Sequence, residues 1–190
     1  MSPALRAFVA IPIPAMVTDF VHQIQKRLDS PAVNVRWVKT GNLHLTLKFL
    51  GDVDPSSVGA IADQIDAVAD ATAPFELNAS GFGGFPNQRR ARVLWVGLVG
   101  DVECLKATWE TLEKNLVRVR YKRENSRFSP HLTIGRTRRR IDLQTLGLSL
   151  DALTDMTSDS FKVDRLLLIK SVLKPTGAEY TPLHVSHFAC

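Results

Sequence analysis

The chain has 190 residues, 45% of them hydrophobic, and 24 Lys and Arg against 19 Asp and Glu give a net charge of +5. This composition is too apolar for a disordered chain, and the length can bury a core without disulfides or structural metals. The two cysteines, Cys104 and Cys190, form no Cys-x-x-Cys pair, which argues against a disulfide framework or zinc ribbon and fits a reducing, cytoplasmic setting. No run of about 18 apolar residues is present, so we expect no membrane partner.

The first half of the chain alternates strand and helix patterns. The apolar start is interrupted by Pro12 and Pro14, and we interpret it as a strand entering a core, not as a signal peptide. Asp54 and Pro55 are suited to the N-cap and the first position of a helix. The predicted elements are a strand at 5–14, a helix at 15–28, strands at 33–39 and 42–51, and a helix at 54–71.

The second half begins with a strand that is expected to give way to a glycine-rich turn, "FELNASGFGGFPN". This stretch lacks the spacing of a phosphate-binding loop or a dinucleotide fingerprint. The further predictions are a strand at 91–100, a helix at 102–119, a strand at 127–136, and strands at 164–173 and 179–188 joined by a turn around Pro175-Thr176-Gly177. Several strands adjoin without a helix between them, which favours an α+β fold with largely antiparallel sheets.

One motif occurs twice. "LHLTL" contains His44 and Thr46, and "PHLTI" contains His131 and Thr133. Side chains alternate along a strand, so each histidine shares a face with its threonine while the neighbouring Leu and Ile residues face a core. The repeat predicts one bilobal domain over residues 1–190, with one His-x-Thr strand per lobe, related by a pseudo-two-fold axis and facing a central cleft.

Two imidazoles across a cleft suit in-line displacement at phosphorus, which needs a base at the attacking oxygen and an acid at the leaving oxygen. Threonine hydroxyls can hold the non-bridging oxygens, where charge accumulates. The sequence contains no His-Glu-x-x-His motif or dense Asp cluster, and we predict neither a metal nor a cofactor.

The chain resembles the two-histidine phosphoesterases, specifically the RNA 2′,3′-cyclic phosphodiesterase (2′-5′ RNA ligase) family. The resemblance rests on five segments in order: "RAFVAIPIP", "VRWVKTGNLHLTLKFLGDV", "FPNQRRARVLWVGL", "FSPHLTIGR" and "LLLIKSVLKPTGAEYTPL". It implies metal-independent hydrolysis of an RNA or nucleoside 2′,3′-cyclic phosphate to a 2′-phosphomonoester. It also implies that His44 and His131 are catalytic and that Thr46 and Thr133 contact phosphate. We assign His44 as proton donor and His131 as proton acceptor, although the near-symmetric motifs do not determine this polarity.

Residues five positions after each histidine are further candidates. The family resemblance implies that Arg136 contacts phosphate, whereas strict alternation would turn it away from His131 unless Gly135 bulges the strand. Phe49 could stack on a nucleobase, but its parity with Leu45 and Leu47 favours core packing. Lys48 shares the parity of His44, so it faces either the cleft or the strand end.

The remaining features concern partners. Three basic clusters predict an RNA-binding rim: Arg89, Arg90 and Arg92; Arg118, Arg120, Lys122 and Arg123; Arg136, Arg138, Arg139 and Arg140. We interpret His22, His184 and His187 as structural or surface residues, and we expect a monomer. The alternatives left open are 2′-5′ RNA ligation, 2′-5′ oligonucleotide phosphodiesterase activity at the same site, and a non-catalytic module that binds RNA ends.

Overall fold

The structure, a computed structural model, describes residues 4–29, 34–143, 153, 155–175 and 177–189. Within these residues the chain forms strands and α-helices that follow the predicted order closely. The strands are β1 (Leu5–Pro12), β2 (Val35–Trp37), β3 (His44–Val53), β4 (Phe75–Phe85), β5 (Ala91–Gly100), β6 (His131–Ile141), β7 (Phe161–Val163), β8 (Arg165–Lys174) and β9 (Gly177–His187); the helices are α1 (Ala15–Leu28), α2 (Val58–Ala69) and α3 (Val102–Leu116).

All the strands belong to one antiparallel sheet in the order β7-β4-β5-β6-β3-β1-β8-β9, and β2 adds a further pairing to β6. The predicted α+β class with antiparallel pairing is therefore confirmed. The sheet divides into two four-stranded halves, β6-β5-β4-β7 and β3-β1-β8-β9, which meet where β3 pairs with β6. The two lobes expected from the repeated motif are thus two halves of one continuous sheet.

The helices cover one face of this sheet. Apolar residues of α1 spaced at helical intervals are buried, among them Val17, Val21 and Ile24, as the one-sided pattern predicted. Leu43, Leu45 and Leu47 of the first motif join the same core from the sheet. Full burial of such a side chain contributes about 1.5–3 kcal/mol, so this face anchors the motif strand.

The glycine-rich stretch is part of a strand and not a turn, so that prediction is wrong. β4 continues through it to Phe85 because the missing side chains leave room for an indole ring. A Cβ on Gly83 would lie 2.3 Å from Cζ2 of Trp95 on the neighbouring strand β5. Glycine at position 83 therefore allows the Trp95 ring to pack against β4.

Other boundaries also differ from the predictions. The short strand β7 was not predicted, and β6 begins only at His131. The predicted cap is present: Asp54 accepts a hydrogen bond from the Ser56 N–H, although the first turn is a 3₁₀ helix over Pro55–Ser57. β8 and β9 pair as far as Lys174 and Gly177, as expected for the predicted hairpin, whose Thr176 lies outside the described residues. No helix in the described part of the chain is long and apolar enough to cross a bilayer.

Candidate active site

The two motif strands meet at equivalent residues. β3 and β6 pair through Leu45 and Leu132, each of which directly follows its motif histidine, and both side chains are fully buried. In an antiparallel pair the flanking residues are then neighbours across the strands, His44 with Thr133 and Thr46 with His131. All four side chains are half-buried on the face opposite the two leucines. The structure therefore brings both His-x-Thr motifs to one place, around a local two-fold axis.

Each imidazole is held by the chain just before it. His44 Nδ1 lies 2.8 Å from the carbonyl oxygen of Asn42, and His131 Nδ1 lies 2.8 Å from that of Ser129. A carbonyl oxygen only accepts hydrogen bonds, so Nδ1 carries the proton in both rings. This arrangement leaves Nε2 of each ring as the nitrogen that can exchange a proton with a substrate.

Aromatic rings pack against both histidines, and the rings beside His44 differ from the ring beside His131. Phe8 and Tyr180 lie 4.7 and 5.2 Å from the ring of His44, centroid to centroid. Phe85 lies 4.9 Å from the ring of His131. Burial lowers the pKa of His44, and the hydrogen bond to Asn42 only partly opposes this effect. The unliganded His44 ring is therefore biased towards its neutral form.

A β-bulge in each motif strand changes which side chains face the site. In β3 the bulge falls at Leu47, because Val9 and Ala10 of β1 pair with Lys48 and Thr46. Leu47 and Lys48 consequently both face the core, and Phe49 turns to the face of His44. The expectation that Phe49 packs in the core is wrong: the side chain is 61% exposed, and its ring lies 6.0 Å from that of Phe8.

β6 contains the equivalent bulge. Leu94 and Trp95 of β5 pair with Gly135 and Thr133, which makes Ile134 the additional residue. Arg136 thereby shares the face of His131, as we expected if Gly135 bulged the strand. A Cβ on Gly135 would lie 2.6 Å from Val35 Cγ1 and 2.8 Å from Trp37 Cε3 of β2. Glycine is therefore needed at this position for β2 to pack against the bulge.

Lys48 does not face the cleft, so that alternative is wrong. The bulge turns it towards α3, where its ammonium lies 2.8 Å from Glu113 Oε1 and donates to the carbonyl oxygen of Lys122. Glu113 Oε2 also accepts from the N–H of Glu124. This buried ion pair ties the segment that leads to His131 onto the strand that carries His44.

The other histidines lie outside this site. His184 Nε2 is 2.7 Å from Asp66 Oδ1 on α2, His22 Nδ1 is 3.4 Å from Gln25 Oε1 of its own helix, and His187 is exposed. All residues of the three basic clusters have exposed side chains. An RNA-binding role for these clusters stays a prediction.

The sequence patterns did not identify three side chains of the site. Strand alternation is the one signal that could have indicated Phe8, because Phe8 lies on the same face of β1 as Ala10, away from the main core. Tyr180 arrives from β9, which lies at the far edge of the sheet from β6, and carries no local signal. Arg36 stands directly opposite Arg136 on β2, a pairing that becomes visible only in the sheet register.

An antiparallel α+β sheet with two His-x-Thr strands related by a two-fold axis has the features of the two-histidine phosphoesterases, the class that the sequence resembles. Residues 11–95 match the family model of LigT-like phosphoesterases. The RNA 2′,3′-cyclic phosphodiesterase of Methanothermobacter thermautotrophicus is 33% identical over 95% of this chain and 97% of its own. That of Archaeoglobus fulgidus is 32% identical over 95% and 99%. The chain belongs to this family of phosphoesterases.

Solved structures agree in fold. Escherichia coli LigT in its apo form superposes with a TM-score of 0.78 at 24% identity, covering 100% of both chains. A protein of Thermus thermophilus superposes with a TM-score of 0.79, also at 24% identity, over 97% of this chain and 98% of that one. The curled antiparallel sheet with its flanking helices is thus the fold of LigT.

Proposed function

We propose that this chain hydrolyses the 2′,3′-cyclic phosphate of an RNA or nucleoside to a 2′-phosphomonoester, without a metal, by acid–base catalysis between His44 and His131. The observation that carries the proposal is the pairing of equivalent residues Leu45 and Leu132, which sets the two motifs on one face. Curated relatives at 30–33% identity over more than nine-tenths of this chain are named RNA 2′,3′-cyclic phosphodiesterases, which supports the substrate class.

The proposed step exchanges one bond at phosphorus for another. His131 Nε2 takes a proton from water while the water oxygen bonds to phosphorus. The bond from phosphorus to O3′ breaks, and O3′ takes a proton from His44 Nε2, which leaves a 3′-hydroxyl and a 2′-phosphate. The Thr46 and Thr133 hydroxyls and the Arg136 guanidinium hold the non-bridging oxygens, where charge increases in the transition state. Phe49 offers its exposed ring to the nucleobase.

The first prediction concerns the two histidines. His44→Ala and His131→Ala should each lower kcat for opening a 2′,3′-cyclic-ended oligonucleotide by about 10²–10⁴-fold, because each removes one proton-transfer group. The assay is run in EDTA, and the position of the product phosphate is read by ³¹P NMR. His187→Ala, which changes an exposed histidine of β9, serves as the matched control. Full activity in either motif variant, or a 3′-phosphate product, would contradict the proposal.

A second prediction separates acid from base. If the bridging O3′ is replaced by sulfur, the leaving thiolate no longer needs a proton. His44→Ala should then recover most of its activity on the sulfur substrate, whereas His131→Ala should remain inactive on both substrates. Recovery in His131→Ala instead would reverse the two roles. The same variants, assayed with a 2′,3′-cyclic-ended RNA and a second RNA whose 5′-hydroxyl takes the place of water, test 2′-5′ ligation.

A further inference from the structure

Two arginines stand side by side at the edge of the candidate site. Arg36 of β2 is the direct antiparallel partner of Arg136 of β6, so their Cβ atoms are about 5 Å apart and on the same face of the sheet. Directly opposed like charges are unfavourable in a sheet. This arrangement therefore suggests an anionic ligand between or beside the two guanidinium groups.

The face on which the two arginines lie is the face of the histidines. Val35 and Trp37, the neighbours of Arg36, pack against Gly135 and the core, so Arg36 faces the other way. The bulge at Ile134 turns Arg136 to the side of His131. The positive charge of Arg136 also opposes the effect of burial on the pKa of Tyr180, the ring that contacts His44.

Neither guanidinium is neutralised within the described part of the chain. The described ion pairs include no contact of Arg36 or Arg136 with a carboxylate, and both side chains are exposed. The acid on the facing hairpin, Glu179, already pairs with Lys174 at 2.7 Å. Arg36 extends to that hairpin, since its Nη2 is 3.5 Å from the point that a Cβ on Gly177 would occupy. Two cations, on β2 and β6, are thus available to phosphate.

We propose that Arg36 binds the phosphate on the 5′ side of the terminal nucleoside, while Arg136 binds the cyclic phosphate. This inference rests on the proposed function and names the substrate class of the same site. A cyclic phosphate ends the RNA chain at its 3′ side, so the remaining phosphate of the terminal nucleotide is attached to its 5′ oxygen. The site is therefore built for an RNA end or a 5′-phosphorylated nucleotide, and a nucleoside cyclic phosphate fills only part of it.

The experiment compares four substrates of increasing length and charge: adenosine 2′,3′-cyclic phosphate, its 5′-phosphate, the dinucleotide ApA 2′,3′-cyclic phosphate, and that dinucleotide with a neutral methylphosphonate linkage. For the wild-type chain, the charged dinucleotide should exceed its neutral counterpart about ten-fold in kcat/KM, the effect of one charge-assisted contact. Arg36→Gln should remove this difference, which is a ratio of two dinucleotide rates measured in the same variant. The 5′-phosphorylated nucleotide shows whether a terminal phosphate is sufficient or a phosphodiester is needed.

The controls keep the two proposals apart. Lys162→Gln removes an exposed cation from the edge strand β7 and should keep the ten-fold difference. Arg36→Gln should also reduce the slope of log affinity against log salt for the dinucleotide by about 0.7, as expected for one lost phosphate contact. A ten-fold difference that persists in Arg36→Gln, or no difference in the wild-type chain, would overturn the Arg36 subsite. If no substrate is turned over, the proposed function fails, and calorimetric binding of ApA 2′-phosphate and its methylphosphonate analogue decides the subsite.

Discussion

His44 and His131 make the same backbone hydrogen bond, but different aromatic rings pack against them. His44 packs against Phe8 and Tyr180, which also contact each other, and burial lowers its pKa from the ordinary value of about 6.5. A general acid must be protonated when the substrate is cleaved. If His44 is the acid, the anionic phosphate has to offset the effect of burial once it is bound.

A third prediction follows for the pH dependence. kcat/KM reports the free enzyme, so with His44 as acid it should fall as pH rises through a pKa below about 6.5. kcat reports the complex, in which the phosphate charge favours the imidazolium, so its alkaline limb should lie at higher pH. Steady-state kinetics from acid to alkaline pH measure both limbs. The ring signals of His44, assigned by their loss in His44→Ala, give its pKa directly by NMR. A limb in which activity rises as His44 loses its proton would make it the base.

A fourth prediction concerns Gly135. Gly135→Ala places a Cβ within 2.8 Å of both Val35 and Trp37, so β2 must move. We expect a loss of about 1–3 kcal/mol in the free energy of unfolding, as for other overpacked sites, and a lower kcat/KM because Arg136 shifts with the bulge. Urea unfolding and steady-state kinetics measure the two effects. Gly59→Ala is the matched control: no atom lies within 4 Å of its added Cβ in α2, and it should be neutral or stabilising.

At the scale of the element, the two motif strands share a bulge but stabilise it differently. In β6, Gln25 of α1 donates to the carbonyl oxygens of Ile134 and Val38 beside the bulge. In β3, the corresponding place is taken by Lys48 and its ion pair with Glu113 of α3. A neutral side-chain amide therefore packs beside the bulge of β6, whereas a buried ion pair packs beside the bulge of β3.

A fifth prediction tests this ion pair. Lys48→Met leaves the Glu113 carboxylate buried without its partner, and we expect a loss of about 3–5 kcal/mol in the free energy of unfolding. Adding Glu113→Leu should restore much of that stability, because no uncompensated charge remains. Urea denaturation of the single and double variants measures the coupling. Losses that simply add would show that the pair does not act as a unit.

Alternation along the strands correctly predicted which face each His-x-Thr motif lies on. It gave the wrong face for the residues that directly follow the first motif. A bulge adds one residue, so the parity argument misplaced both Lys48 and Phe49. At Arg136 the same problem was anticipated, because Gly135 is a local signal for a bulge. "LTLKF" contains no glycine, and alternation does not represent the contact that Lys48 makes with Glu113 of α3. The glycine run of β4 failed for a related reason, since its partner Trp95 lies on another strand.

At the scale of the whole molecule, the two halves of the sheet pair through one residue pair, the buried leucines Leu45 and Leu132. We expect Leu45→Ala and Leu132→Ala each to cost about 2–5 kcal/mol, the usual range for a buried leucine. The double variant should lose less than the sum, because the two side chains share one cavity. Leu168→Ala, equally buried in β8, is the control. At matched stability, only the central variants should lower kcat, since they alone alter the spacing of the histidines.

The repeated motif was sufficient to predict the pseudo-symmetric architecture and to predict that the histidine and threonine of each motif share one face of the sheet. It was not sufficient to predict that the halves form one sheet, that β7 exists, or that Tyr180 reaches His44 from β9. Each of these depends on pairings between strands that are far apart along the chain. Local patterns do not specify such pairings, because many registers satisfy the same alternation.

The pairing of Leu45 with Leu132 relates the two motifs by about half a turn. Under the proposed mechanism, a phosphate bound in either of the two orientations related by that half turn has one imidazole at each apical oxygen, so the histidines by themselves do not distinguish the entering water from the departing O3′. That choice falls to the positions where the halves diverge, chiefly Phe49 in one and Arg136 in the other. Under that mechanism, the residues that differ between the halves determine which histidine is the acid and which the base, because they set how the nucleoside is oriented between the two rings.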